Sequence, residues 1–118
     1  METENNDIEP IYVYRAQVEQ VYDGDTFKAQ VSLGFGVSRF ETFRMYGINA
    51  PEMRGATKAK GTQSRDRLRE LILNKNVVIV SYRDRQEKFG RYLADVYVGG
   101  VMVNALMVKE NLATAYTV

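Results

Sequence analysis

The apolar and polar positions of this chain follow two different periods. Residues 11–21 (IYVYRAQVEQV) mix Tyr and Val in partial alternation, residues 25–33 (DTFKAQVSL) alternate cleanly, and residues 39–48 (RFETFRMYGI) form a third run. A period of two is that of half-buried strands. Asp23-Gly24 between the first two runs is a hairpin signal, and Gly34-Phe35-Gly36 turns the second into the third. The period then becomes helical. In SRDRLRELILN, residues 64–74, Leu68, Leu71 and Ile72 share one face while Arg65 and Arg69 lie a turn apart elsewhere. Thr62 or Ser64 is expected to cap the start of this helix, and Asn74 to take the left-handed position at its end. A β-branched strand follows at residues 77–80, then a polar loop, RDRQEKFG, and a strand from Arg91 to Val98. Gly99-Gly100 turns the chain into a short helix from Asn104 to Glu110, with Asn111 at its C-terminal end.

Three strands, a helix, two strands and a helix predict a mainly β protein with helices (α+β), a five-stranded OB-like β-barrel with two helices. Residues 1–10, polar and acidic up to Pro10, are expected to form a flexible N-terminal tail, and residues 11–118 one domain. No internal repeat or low-complexity segment interrupts that order.

Composition narrows the chemistry. At 118 residues, 45% apolar and 26% charged, the chain can close a single core without staples. No run approaches the roughly 20 apolar residues a membrane helix needs. The opening METENNDIEP, with its four acids and no bases, is unlike a secretory leader. These features predict no membrane partner and a cytoplasmic protein, or a secreted one whose leader lies outside this sequence. Cys and His are both absent. That excludes disulfides, thiolate nucleophiles, Ser-His-Asp and Cys-His arrangements, and metal sites built on imidazole or thiolate. Any enzymatic work falls to carboxylates, Arg, Lys, Tyr or a hard oxygen-bound cation.

Net charge is only +1, but it is unevenly spread. Residues 54–91 hold 11 Lys or Arg against four Asp or Glu, net +7, and the remainder holds five against 11, net −6. A basic middle attracts a polyanion such as nucleic acid, although a solvated helix face and loop would have the same composition.

Three segments in order, VYDGDTFK at 21–28, FRMYGINAPE at 43–52 and EKFGRYLADVYVGGVMVN at 87–104, resemble the staphylococcal nuclease (thermonuclease) family, and NLATAY at 111–116 resembles the family's ending. The resemblance implies an OB-like barrel and hydrolysis of DNA or RNA. It makes Asp25 the principal calcium-binding carboxylate, with Asp23 in the outer shell and Asn49 and the Ala50 carbonyl facing the ion. Arg44 becomes a phosphate clamp, Arg91 the second arginine opposite it, and Glu52 a general base or water orienter. Lys88 would reach a substrate phosphate, and Tyr97 and Tyr116 match tyrosines near the nucleotide. Ca2+ is the implied cofactor, and DNA and/or RNA, single-stranded preferred, the implied partner of a monomer.

Each piece has a plainer reading. Asp23-Gly24-Asp25-Thr26 alone is a hairpin turn with solvated acids, Arg44 a solvent-facing strand residue, and Lys88-Phe89-Gly90-Arg91 a polar turn. Tyr97 reads as part of the core or its rim, whereas Tyr116 fits either role. The sequence also departs from the family. Asn49 stands where Asp is usual, which removes one charge from the metal site, and Phe89 stands where Tyr is common. A nucleic-acid-binding OB module with weakened or lost turnover is therefore the alternative function.

Overall fold

A computed structural model describes residues 9–116. Of the expected tail, residues 1–8 lie outside the described residues, and Glu9 and Pro10 are exposed with no regular structure. The strands are β1 (Val13–Asp23), β2 (Thr26–Gly34), β3 (Val37–Met45), β4 (Ile48–Asn49), β5 (Asn76–Gln86), β6 (Tyr92–Val98), β7 (Val101–Met102) and β8 (Thr114–Ala115). The helices are α1 (Lys58–Ile72), preceded by a 3-10 turn at Gly55–Thr57, and α2 (Val103–Lys109).

The hairpin expected at Asp23-Gly24 pairs β1 with β2 antiparallel, and β3 adds to β2. On its other edge β1 pairs with β5, which pairs with β6. A parallel pairing of Phe43, Arg44 and Met45 on β3 with Tyr92, Leu93 and Ala94 on β6 closes these five strands into a barrel. Alternation sends Phe27, Ala29 and Val31 of β2, Phe43 and Met45 of β3, Val77 and Ile79 of β5, and Ala94 and Val96 of β6 inward. On β1 the inward set is Ala16, Val18 and Val21, because the register slips between Val18 and Gln20 and a bulge restores the facing. Phe27 and Phe43 stack with centroids 5.4 Å apart at the centre of this core. Each such fully buried large side chain contributes about 1.5–3 kcal/mol.

One face of α1, formed by Gly61, Ser64, Leu68 and Ile72, is buried. The glycine allows an approach that no side chain would: a Cβ on Gly61 would lie 2.5 Å from the Glu52 carbonyl oxygen. α1 therefore starts at Lys58, two turns before the expected first residue, and Thr62 and Ser64 lie inside it rather than capping it. Those first turns carry no apolar periodicity because Gly and Ser make the contact, so the pattern became visible only at Leu68. The residue before the helix, Thr57, directs its hydroxyl backward to the Glu52 carbonyl at 2.7 Å and thereby pins the loop that carries Pro51. Asn74 and Asn111 both take the expected left-handed conformation, at φ 60° and 61°.

Two strand limits also differ from expectation. The run 39–48 is split: β3 ends at Met45, the chain turns through Tyr46-Gly47, and β4 pairs with β8 near the C-terminus. β5 runs well beyond residue 80, to Gln86, taking in half of the expected polar loop. Its pairing with β6 jumps from Ser81↔Ala94 to Gln86↔Tyr92, leaving Tyr82 to Arg85 as a polar bulge. A bulged residue need not alternate, which is why this stretch does not read as strand. Among the described residues, no helix is long and apolar enough to cross a membrane.

Candidate active site

Three loops meet at the closing seam of the barrel: the β1–β2 turn, the segment after β3, and the turn before β6. The first presents Asp25, whose side chain is nearly buried beside the tight turn at Gly24. Its Oδ1 accepts from the Thr26 hydroxyl at 2.9 Å, and its Oδ2 accepts from the Ala50 backbone N–H at 2.8 Å. The Asp25 N–H in turn donates to Asp23 Oδ1 at 3.0 Å. Burial, and after it the hydrogen bond and negative charge of Asp25, push the Asp23 carboxyl up to about 6. Two carboxyls thus share one half-buried corner.

Arg44 comes from the end of β3, with Nη1 3.3 Å from Asp25 Oδ2. Its guanidinium is held by the carbonyls of Met45 at 2.9 Å and Ile48 at 2.8 Å, and Nη2 donates to Asn49 Oδ1 at 3.2 Å. Arg91 enters from the other side of the seam. Glu87 grips it through Nε and Nη2, at 3.2 and 3.0 Å, and accepts from its backbone N–H at 2.8 Å. Those bonds raise the Arg91 pKa, with further contributions from the charges of Asp25 and Asp23, and they lower that of Glu87. Arg44 thus touches the carboxylate corner directly, whereas Arg91 is held by Glu87 and shares with Arg44 the cavity beside that corner. Phe89, largely exposed, carries Lys88 Nζ 5.0 Å and the Arg91 guanidinium carbon 5.3 Å from its ring centre, so two cations are steadied by one aromatic face.

A cavity of about 530 Å³ opens on this seam, lined among others by Arg44, Asn49, Lys88, Phe89, Arg91 and Tyr116. The pairing of β4 with β8 delivers the last of these: the Tyr116 N–H donates to the Gly47 carbonyl at 2.8 Å. Of the expected site residues, the cavity gathers Arg44, Asn49, Lys88, Arg91 and Tyr116, and Asp25 and Ala50 stand behind Arg44. Glu52 is apart. Its carboxylate is exposed and paired with Arg54 at 2.9 Å. Tyr97 is half-buried on the outer sheet surface near Arg15 and Gln30, away from this cavity.

The oxygens available to a hard cation are few. Among the described residues, no three Asp or Glu side chains stand close enough to hold an ion. The Asn49 carbonyl oxygen already accepts from Arg44. What remains is the Asp23–Asp25 pair, whose mutual repulsion a divalent ion would relieve; this suits an oxygen-preferring ion that keeps most of its shell as water.

Sequence reasoning missed Glu87, the brace of Arg91. Its only signal is an acid four residues before an arginine, which ordinarily matters on a helix and here works through a turn closed by Gly90 N–H donating to the Glu87 carbonyl. The contact of Gly24 with Ser64 on α1 was equally invisible.

The class the fold and site define is a closed OB-like barrel with two arginines lining one cavity beside a carboxylate pair. The sequence model of the family described as staphylococcal nuclease homologue matches residues 42–118, and the chain belongs to that family. It is 30% identical over 112 residues to a micrococcal nuclease of Shigella flexneri, covering 87% of this chain and 59% of that protein. It is 29% identical to the thermonuclease of Staphylococcus intermedius, covering 83% and 57%. With an SPbeta prophage-derived endonuclease of Bacillus subtilis it shares 30% identity over 81% of this chain and 32% of the other. The chain thus spans about 59% or less of the length of these relatives.

Proposed function

We propose that this chain is a nuclease that hydrolyses phosphodiester bonds of DNA or RNA, with calcium as its cofactor. The observation that carries the reading is the meeting of Arg44, ion-paired to Asp25, with Arg91 and Lys88 around one open cavity. A phosphodiester repels hydroxide, so its hydrolysis requires charge neutralisation and an aligned water. Guanidinium groups supply the first: each stays charged and can donate to two phosphoryl oxygens, and Arg44 and Arg91 are already oriented by carbonyls and by Glu87. Asp25 and Asp23, with Asn49 and the Ala50 carbonyl at the margin, are the residues that would hold the calcium. When bound there, the ion adds positive charge next to the phosphate.

Glu52 orients or deprotonates the water in this reading. It must first leave Arg54, and that costs little, because both side chains are largely exposed and such pairs are worth at most about 1 kcal/mol. Lys88 and Tyr116 contact the nucleotide. Open aromatic and cationic groups around the cavity favour a single strand, acted on by a monomer.

The test is cleavage of single-stranded and duplex oligonucleotides with calcium added or chelated, using the parent, Arg44→Lys, Arg91→Lys and Glu52→Gln. Each arginine variant should lose about 100-fold or more in kcat while binding substrate nearly as well. No cleavage by the parent with calcium, or full cleavage by both arginine variants, would overturn the proposal. A second reading, nucleic-acid binding without turnover, is favoured by the Glu52–Arg54 pairing and by the occupied Asn49 oxygen. It predicts oligonucleotide binding by a parent that never cuts.

A further inference from the structure

We infer that Tyr46, clamped from behind by Tyr82, is a further base-stacking platform at the cavity's edge, selecting an unpaired nucleotide next to the phosphate that Arg44 grips. The inference rests on the nucleic-acid reading above and adds to it a residue that neither the motifs nor the charge pattern singled out.

Tyr46 occupies the turn between β3 and β4, two residues after Arg44, and it lines the same cavity as Arg44, Phe89 and Tyr116. Its backbone is fixed at both ends. The N–H donates to the Ala94 carbonyl at 2.9 Å, and the carbonyl accepts from Asn104 Nδ2, also at 2.9 Å, where Asn104 is itself buried. The ring stacks on Tyr82 with centroids 3.9 Å apart and planes inclined by 25°. Tyr82, in turn, is anchored because its hydroxyl donates to Asp95 Oδ2 at 3.0 Å. So tight a clamp is unusual for a ring outside the core. Yet Tyr46 remains 36% exposed although Tyr82 covers one of its faces.

A tyrosine that served only to pack would be better turned inward, where the adjoining Met45 is buried at 1% exposure. A ring held by Tyr82 and still partly open to solvent loses little entropy when a planar group settles on it, which is the requirement for base stacking. Tyr46, Phe89 and Tyr116 are all exposed and all line the cavity that Arg44 and Arg91 line, so aromatic and cationic side chains share it. A paired base hides its faces in the duplex, so the platform recognises single strands and unpaired ends.

The test measures binding rather than cleavage, with calcium chelated and a labelled single-stranded oligonucleotide as probe. Tyr46→Ala should weaken binding by about 5- to 100-fold, Tyr46→Phe should retain it, and Tyr46→Leu, which keeps the bulk beside Tyr82, should behave like Tyr46→Ala. An oligonucleotide with a single abasic sugar, moved along the strand, should lose the same factor at one position with the parent but not with Tyr46→Ala. Unfolding curves identify any variant that fails to fold, and Tyr46→Leu then decides. If the parent binds the oligonucleotide while Tyr46→Leu binds equally well, or if base removal weakens both proteins alike, the platform is refuted and the nuclease reading stands. If the parent binds no oligonucleotide at all, the platform falls, while the nuclease reading is decided separately by cleavage with calcium.

Discussion

Gly24 at the β1–β2 turn lies so close to Ser64 of α1 that a Cβ added to the glycine would stand 1.8 Å from the serine hydroxyl oxygen. The same added atom would meet the Ala50 Cβ at 2.8 Å. Helix α1, the β1–β2 turn and the proline loop therefore meet at one point, next to Asp25. Gly24→Ala should destabilise the protein by about 1–3 kcal/mol or more, as overpacking does. The Ser64 hydroxyl is buried and, among the described residues, has no hydrogen-bond partner, so Ser64→Ala should be neutral or stabilising by about 1 kcal/mol. Combining the two should recover part of the loss but not all, since Ala50 and the Ser64 Cβ remain in the way. Urea unfolding of the three variants measures this.

The Asp23 carboxyl, pushed up to about 6 mainly by burial and then by Asp25, makes stability depend on pH. The folded chain keeps a proton there that the unfolded chain releases near pH 4. Stability from this group is thus greatest below pH 4, falls as pH rises toward about 6, and is flat above. The shift corresponds to on the order of 3 kcal/mol, reduced to about 1–2 by the solvent that still reaches this half-buried group. Asp23→Asn should flatten the slope between pH 4 and 6 and raise stability at pH 7, read from unfolding midpoints across pH. Calcium should raise the parent's melting temperature at pH 7 more than that of Asp23→Asn.

Asn49→Asp places a carboxylate where the amide oxygen now meets Arg44 Nη2. If this position faces the ion, calcium should bind about tenfold tighter or more, as a charge added at short range requires. Isothermal titration decides it; unchanged affinity would remove Asn49 from the metal site.

Asn104, 2% exposed, holds the seam together through donation to the carbonyls of Tyr46 and Ala94 at 2.9 and 3.2 Å and acceptance from the Val96 N–H at 2.9 Å. Asn104→Ala removes this partner from the Val96 N–H and the Tyr46 carbonyl, while the Ala94 carbonyl keeps the Tyr46 N–H, and should cost about 2–5 kcal/mol in urea unfolding.

What the sequence revealed and what it hid follow from the same physics. Alternation in DTFKAQVSL and the β-branched run at residues 77–80 reported burial directly, so the barrel strands were legible. The helix start was not, because Gly61 and Ser64 make contact through small size rather than hydrophobicity. Arg44 and Arg91 were legible only through family resemblance, since nothing local in FRMYGI or FGRYL distinguishes a phosphate ligand from a solvated arginine. The pairing of Glu52 with Arg54 was not legible at all: it depends on side-chain rotation at an exposed loop, where several partners compete at nearly equal free energy.

The parallel joint between β3 and β6 has a kinetic corollary. Arg44 sits in the joint and Arg91 directly beside it, so neither meets the other until this long-range pairing forms. A chain arrested before that step carries its charges scattered, with no focus for a polyanion. Any property that needs both arginines together would then recover during refolding no earlier than this joint, behind the locally formed helices and hairpins.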